Sequence, residues 1–301
     1  MQTHESNMLP IREAARATGV NPVTLRAWER RYGLVKPHRT PKGHRLYAPE
    51  QVQQIQQILT WLERGVAISQ VAALVGNQAP PAPSLDRTSL WQHQRDALLF
   101  SLARFDSPQL SAQYRDLMGL YPAPLVCAQL LEPVLTDLEQ RPTNQYGSQL
   151  EKQFLHSWLH SQLAGRLIPQ QEQAQGPRLL LANLASNSHE PRLDLLSLLL
   201  SDAGFRLLRL ETCALASELT LLHERRPLDA MLLVASQRLD PATLERELPR
   251  LANQVDCPLF ATGPMVQLHA SELSDSGITL LSTSPSVSFE QLQQLLAGDA
   301  S

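Results

Sequence analysis

Cysteine is scarce in this sequence: 301 residues hold three, Cys127, Cys213 and Cys257, all far apart. An odd and dispersed set excludes a disulfide framework and a CxxC metal pair, and reads as ordinary thiols in a reducing compartment. No apolar run approaches the roughly 18 residues that a membrane-spanning helix needs. The opening residues MQTHESNMLP lack the basic-then-apolar pattern of a secretory signal, so a cytoplasmic protein without a membrane partner is expected. A Gly-rich phosphate loop, an HExxH pair and a GxSxG elbow are also missing. His156 and His160 have the spacing of two metal ligands on one helix face, but no third ligand accompanies them, and they read as exposed polar histidines. Ser236 and Asp240 have no obvious histidine partner. Neither a metal site nor an enzyme is expected.

What the chain does have is an uneven charge. The total is −3, yet residues 1–75 hold ten Lys and Arg against five Asp and Glu, a balance of +5. The remainder holds 16 bases and 24 acids, a balance of −8. Nine of the bases fall between Arg12 and Arg45, where the only acids are Glu13 and Glu29. Positive charge gathered into one small segment is the footprint of a polyanion binder, and the acidic remainder would leave that contact to the head.

Hydrophobic residues make up 43% of the chain, enough for real cores, and the length suits two or three domains. The basic segment runs over 1–76, followed by a Pro-rich linker at 77–84. Residues 85–168 read as four helical segments, a bundle, broken at 106–108, 121–122 and 141–143. A second linker, PQQEQAQGP, spans 169–177. From 178 to 301 five short apolar runs (RLLLANLA, FRLLRLE, DAMLLVA, PLFATG and ITLLS) alternate with helical stretches, which predicts a flavodoxin-like, doubly wound parallel sheet. The fold class is thus multidomain, mainly α plus α/β. Gln clusters at 51–57 and 291–294 read as solvated helix faces.

Within the head, residues 10–17 predict a first helix, Thr18-Gly19-Val20 a turn, and Asn21-Pro22 a cap and first position for a second helix, PVTLRAWERRY. On a helical wheel Leu25, Trp28 and Tyr32 share one face, Val23, Arg26, Ala27 and Arg30 the other, with Thr24 and Arg31 between. An apolar inner face and a basic outer face suit a recognition helix in a major groove. The segment GLVKPHRTPKGHRLY predicts a hairpin wing with Lys36, Arg39, Lys42, His44 and Arg45 along it, and two more helices follow at 49–59 and 66–75. Groove and phosphate contacts are assigned to Thr24, Arg26, Arg30 and Arg31, and wing phosphate contacts to Lys36, Arg39, His44 and Arg45. Trp28 and Tyr32 read as core.

The residues Thr24, Leu25, Arg26, Trp28, Glu29, Gly33, Leu34, Pro37, Arg39, Gly43, Arg45 and Tyr47 together resemble the MerR family of transcriptional regulators, over about a quarter of the chain. The forms NPVTLRAWERRYGL and GHRLY look like its branch of curli (biofilm-matrix) regulators and cobalamin-dependent photoreceptor regulators. That resemblance implies a nucleoid-associated homodimer on a pseudo-palindromic double-stranded operator. It also implies bending and untwisting of promoter DNA so that RNA polymerase can engage it, with a lean toward activation.

The cobalamin-binding relatives also place a helical bundle before a doubly wound domain. Their bundle motif, Trp and then Glu-His, falls here on Arg141, Glu151 and Lys152; Trp and His are lost, and Arg141 and Lys152 bring bulk and charge where an apolar cap is needed. Their lower-ligand motif, an acidic residue, His and Gly, falls on Asn187, His189 and Arg192. His189 survives, its acidic support does not, and Arg192 stands where Gly admits the cofactor. Their later Gly-Gly pair matches Thr262-Gly263. The expectation is no cobalamin and no other named cofactor. The crevice after the first strand, with Ser186, Asn187, Ser188, His189 and Gly263, stays open to an unidentified effector such as an anion or nucleotide. A role as a docking module for a signalling protein stays open beside it.

Overall fold

The computed structural model describes residues 8–75, 89–142, 144–184, 190–211 and 216–298. The linker expected at 77–84, Ser186 to His189 and Cys213 lie outside these residues. Two compact units divide the chain, residues 1–134 and 135–301. Among the described residues no helix is long and apolar enough to cross a membrane.

The first unit opens with a three-stranded sheet of order β1-β3-β2, built from β1 (Leu9–Pro10), β2 (His38–Arg39) and β3 (Arg45–Tyr47). Around it stand α1 (Ile11–Thr18), α2 (Pro22–Ala27, continued by a π-helical turn Trp28–Tyr32), α3 (Pro49–Glu63) and α4 (Ile68–Val75). Ala14, Leu25, Trp28, Ile55, Ile58, Leu62 and Val71 are at most 1% exposed and form the head's core. Helices α5 (Ser89–Ala103), α6 (Ser107–Leu120) and α7 (Ala123–Val126, continued by a π-helical turn to Leu131) complete the unit. Asp106 caps α6 by accepting from the Gln109 N–H at 3.0 Å, which explains the break read at 106–108. The other two breaks also fall where proline placed them, with α8 spanning Glu132–Gln140 and α9 starting at Ser148.

In the second unit α9 runs Ser148–Gln173, straight through Pro169. The stretch read as a linker at 169–177 is therefore mostly helix. Its glutamines are tied down by partners remote in sequence. Gln171 Nε2 donates to Ser201 Oγ and to the Phe205 carbonyl, both at 3.0 Å, and its Oε1 accepts from the Leu207 N–H at 2.7 Å. Gln170 and Arg166 both donate to Asp202, at 2.5 and 2.8 Å.

The five predicted strands are β4 (Arg178–Asn183), β5 (Arg206–Leu210), β6 (Ala230–Val234), β7 (Leu259–Thr262) and β8 (Thr279–Leu280), all parallel in the order β5-β4-β6-β7-β8. Leu179, Leu180, Leu181 and Met231 to Val234 are 0% exposed, as strands covered on both faces must be. Helix α10 (Pro191–Asp202) is apolar nearly all round, and Leu195, Leu196, Leu198, Leu199 and Leu200 are 0% exposed. Such a helix must be covered on more than one side, and it packs on β4 and β5, on α9 and on the last helix of the chain, Pro285–Gly298. From β4 the chain steps out to β5 and returns to β6 on the other side. That reversal opens a crevice at the carboxyl ends of β4 and β6.

Strand β5 is at the sheet edge, and Gln171 occupies one of its backbone N–H groups. Gln171→Ala is expected to lower stability by about 1–3 kcal/mol, because the Leu207 N–H loses its acceptor. Urea unfolding of the variant against the wild type measures this.

A candidate nucleic-acid interface and a filled crevice

The recognition element is built from capping chemistry. Gly19, at φ 70°, ends α1 with its N–H on the Ala15 carbonyl at 2.9 Å, a left-handed step that an L side chain resists. Asn21 Oδ1 then accepts from the Val23 and Thr24 N–H groups, both at 2.9 Å, and Pro22 occupies the first helical position. The helix widens into its π turn at Trp28 and stops at Gly33, φ 63°, whose N–H bonds the Glu29 carbonyl at 3.1 Å.

Leu25 and Trp28 face the core, and Arg26, Arg30 and Arg31 are exposed. Trp28 Nε1–H donates to the Leu120 carbonyl at 2.7 Å, so the recognition helix is fastened to the end of α6. One sequence assignment changes. Thr24, read as a groove contact, is 0% exposed, and its hydroxyl has no hydrogen-bond partner among the described residues. The reason is angular: Thr24 sits between the two faces, and α2 packs against both α1 and α6, so more than the apolar face is covered.

The wing is a short antiparallel hairpin in which Arg39 stands opposite Arg45 and His38 opposite Leu46. Its turn is closed by Gly43 N–H to the Thr40 carbonyl at 2.8 Å and by His44 N–H to Thr40 Oγ1 at 3.0 Å. Lys36, Arg39, Lys42 and His44 are exposed, and Arg45 is half-buried. Glu29 reaches across from the π turn. Its two oxygens accept from Arg39 Nη2 at 2.7 Å and Arg45 Nε at 2.5 Å. Burial raises the Glu29 pKa, but hydrogen bonds from Arg45 and Arg39, with their charges, outweigh it and leave the carboxyl below its ordinary value. This stabilising pairing is therefore complete above the ordinary carboxylate range and is lost as the pH falls through the lowered value.

Two basic grooves result. One, of about 580 Å³, runs along the outer face of the recognition helix between Arg26, Arg30, Arg31, Arg39 and Arg45, with Gly119 of α6 at its border. The other, of about 550 Å³, lies between α1 and the wing and takes in Arg12, His44 and again Arg26 and Arg45. Arg26 and Arg45 form the ridge between them. The structure thus brings together six of the eight residues assigned to DNA along these grooves, leaves Lys36 exposed outside them, and sets Thr24 inside. Sequence reading missed Gln51 and Gln54, taken as solvated. They donate to the Lys36 carbonyl at 2.5 Å and the Leu34 carbonyl at 2.9 Å and so hold the segment that leads into the wing.

The crevice of the second unit is occupied by its own side chains. The Arg192 guanidinium takes both oxygens of Glu139 at 2.7 Å and reaches Ser236 Oγ at 3.3 Å. Glu190, 6% exposed, caps α10 through the Arg192 N–H, and burial raises its pKa. Thr262 Oγ1 donates to the Ser282 carbonyl at 2.5 Å and lies 2.9 Å from Ser288 Oγ. Gly263 has a packing explanation: at φ 113°, a Cβ there would stand 2.3 Å from the Ala235 carbonyl oxygen. Arg141 and Glu151 form an ion pair with each other, and Lys152 Nζ lies 3.5 Å from the Glu139 carbonyl.

His160, read as an exposed polar residue, is half-buried beside Asp194, which is also bonded to Arg209. His223 donates from Nε2 to Asp256 at 2.5 Å, and Cys257 Sγ lies 3.8 Å from its Nδ1. This resembles a nucleophilic trio, but burial pushes the Cys257 thiol up to about 11, and the Leu228 N–H already donates to Nδ1 at 3.3 Å. A protonated thiol against an occupied imidazole lone pair is no nucleophile at neutral pH.

Residues 9–78 match the MerR HTH family regulatory protein model. The HTH-type transcriptional regulator MlrA of Escherichia coli is 37% identical over 136 residues, 45% of this chain and 54% of that protein. The HTH-type transcriptional repressor CarH of Myxococcus xanthus is 32% identical over 139 residues, 44% of this chain and 46% of that protein. The chain thus spans about half the length of these relatives. A solved cobalamin-binding protein from Desulfitobacterium hafniense is 13% identical with a TM-score of 0.37, covering 66% of this chain and 97% of that one. Capped recognition helix, hairpin wing and family match coincide over the same residues, and the chain therefore carries a MerR-type helix–turn–helix head.

Proposed function

We propose that the chain is a transcriptional regulator that binds double-stranded DNA through this head. The observation that supports it best is the groove along the recognition helix, lined by five arginines on a scaffold whose apolar side is buried. Arg26, Arg30 and Arg31 enter the major groove, and Lys36, Arg39, His44 and Arg45 grip phosphates beside it. The chain acts in the cytoplasm as a homodimer on a two-fold operator, since two-fold proteins read two-fold sites. Promoter distortion, engagement of RNA polymerase and a place in biofilm-matrix control come from the family resemblance and complete the proposal.

Cobalamin does not suit the residues that the second unit presents. Arg192 is held across the crevice by Glu139 and Ser236, and Thr262 fills its space with hydrogen bonds to Ser282 and Ser288. Arg141, which the resemblance matches to the capping tryptophan, is charged and paired with Glu151. We accordingly favour a second unit that answers a protein partner over one that binds a nucleotide-like cofactor.

Three outcomes are expected. Arg26→Ala or Arg30→Ala weakens operator binding by about 1–3 kcal/mol in fluorescence anisotropy, on an operator found by genome-wide occupancy. Arg39→Ala makes the slope of log affinity against log salt shallower by about 1. Purified chain mixed with adenosylcobalamin and passed through a desalting column emerges colourless, and a retained corrin spectrum would overturn the reading of the crevice.

A further inference from the structure

Glu29 is an acid on a surface that otherwise collects arginine. It lines the same groove as Arg26, Arg39 and Arg45. A carboxylate there repels a phosphate backbone, so by charge alone it should weaken DNA binding. Its geometry says otherwise. Arg39 and Arg45 are register partners across the hairpin, and like charges directly opposite one another destabilise a strand pair. The wing strands have two and three residues, so backbone bonding alone gives them little support. Glu29 gives one oxygen to each guanidinium, at 2.7 and 2.5 Å, from the last turn of the recognition helix.

We propose that Glu29 is a positioning residue for DNA binding: it fastens the wing to the recognition helix and aims Arg39 and Arg45 at the phosphate backbone. This rests on the DNA-binding reading above. Arg39 engages Glu29 through Nη2 and Arg45 through Nε. Each guanidinium has five N–H donors in a rigid fork, so an edge remains for a phosphate and its direction is set by the bond to Glu29. The Arg39 side chain is 50% exposed and that of Glu29 is 17% exposed, so the arginine meets solvent while the acid stands behind it.

The test uses the sign of an effect. Phosphate contacts are independent of sequence, so a mixed-sequence duplex at low salt is a sufficient probe. Glu29→Gln removes a negative charge, yet affinity is expected to fall by about tenfold, with a shallower salt slope. Glu29→Asp, which keeps the charge on a shorter arm, is expected to fall between Glu29→Gln and the wild type. In an Arg39→Ala/Arg45→Ala background Glu29→Gln is expected to cause no further loss, because nothing remains for it to aim. Tighter binding by Glu29→Gln overturns the proposal, as does a Glu29→Asp as weak as Glu29→Gln. A tenfold loss that persists in the double-alanine background overturns it too, since that is a general structural defect. Wild-type chain that binds no duplex would overturn the DNA-binding function itself, a result distinct from any difference among variants.

Discussion

A helix over 22–32, six α residues and one π turn, that carries Arg26, Arg30 and Arg31 on its exposed side has little reason to persist alone in water. Its charges repel one another and its backbone bonds are few. What holds it is the burial of its other side, centred on Trp28, which is 0% exposed and whose indole N–H ends on the Leu120 carbonyl. An indole in a core needs an acceptor for its one donor, and α6 supplies it. The basic face is thus a consequence of the apolar one. Arg26, Arg30 and Arg31 stay exposed while the opposite side holds the helix.

The wing solves the same problem differently. Its strand β3 is anchored by pairing with β1 and by Tyr47, 1% exposed, and polar ties to neighbours hold the rest. Glu29 ties its two arginines to the recognition helix, and Gln51 ties its approach to α3. These bonds are local in space but ten to sixteen residues apart in sequence. Taken together they fix helix and wing as one basic surface with α3 as its support.

This explains which parts could be read from the residues alone. Signals that act within four residues were legible: Gly19 in the turn after α1, Asn21-Pro22 as a helix start, and proline at the three breaks read at 106–108, 121–122 and 141–143. Strands buried on both faces were legible too, because they must be continuously apolar. Readings that depended on a remote partner were not. Gln170 and Gln171 looked like linker because their partners, Asp202 and Leu207, come some thirty residues later. Thr24 looked accessible because periodicity places it between faces and says nothing of α6. The approach of His223 to Cys257 depends on how α11 (Ala216–Arg225) lies over the sheet, which no local pattern encodes.

The crevice shows the same logic in reverse. Arg192 and Arg141 stand where the resemblance to cobalamin-binding regulators would place glycine and tryptophan, and side chains of that size and charge need partners of their own. Here the replacements have found partners within the second unit: Arg192 with Glu139, Arg141 with Glu151, Thr262 with Ser288. The Arg192 guanidinium, 13% exposed, sits with two of its nitrogens on a Glu139 carboxylate that is 40% exposed, so the pair is a bidentate tie at the rim of the unit. An anionic ligand that sought Arg192 would have to break that pairing first. Among the described residues these pairings line the crevice, and under the function proposed above they favour a signal that arrives on the outside of the unit over one that enters it.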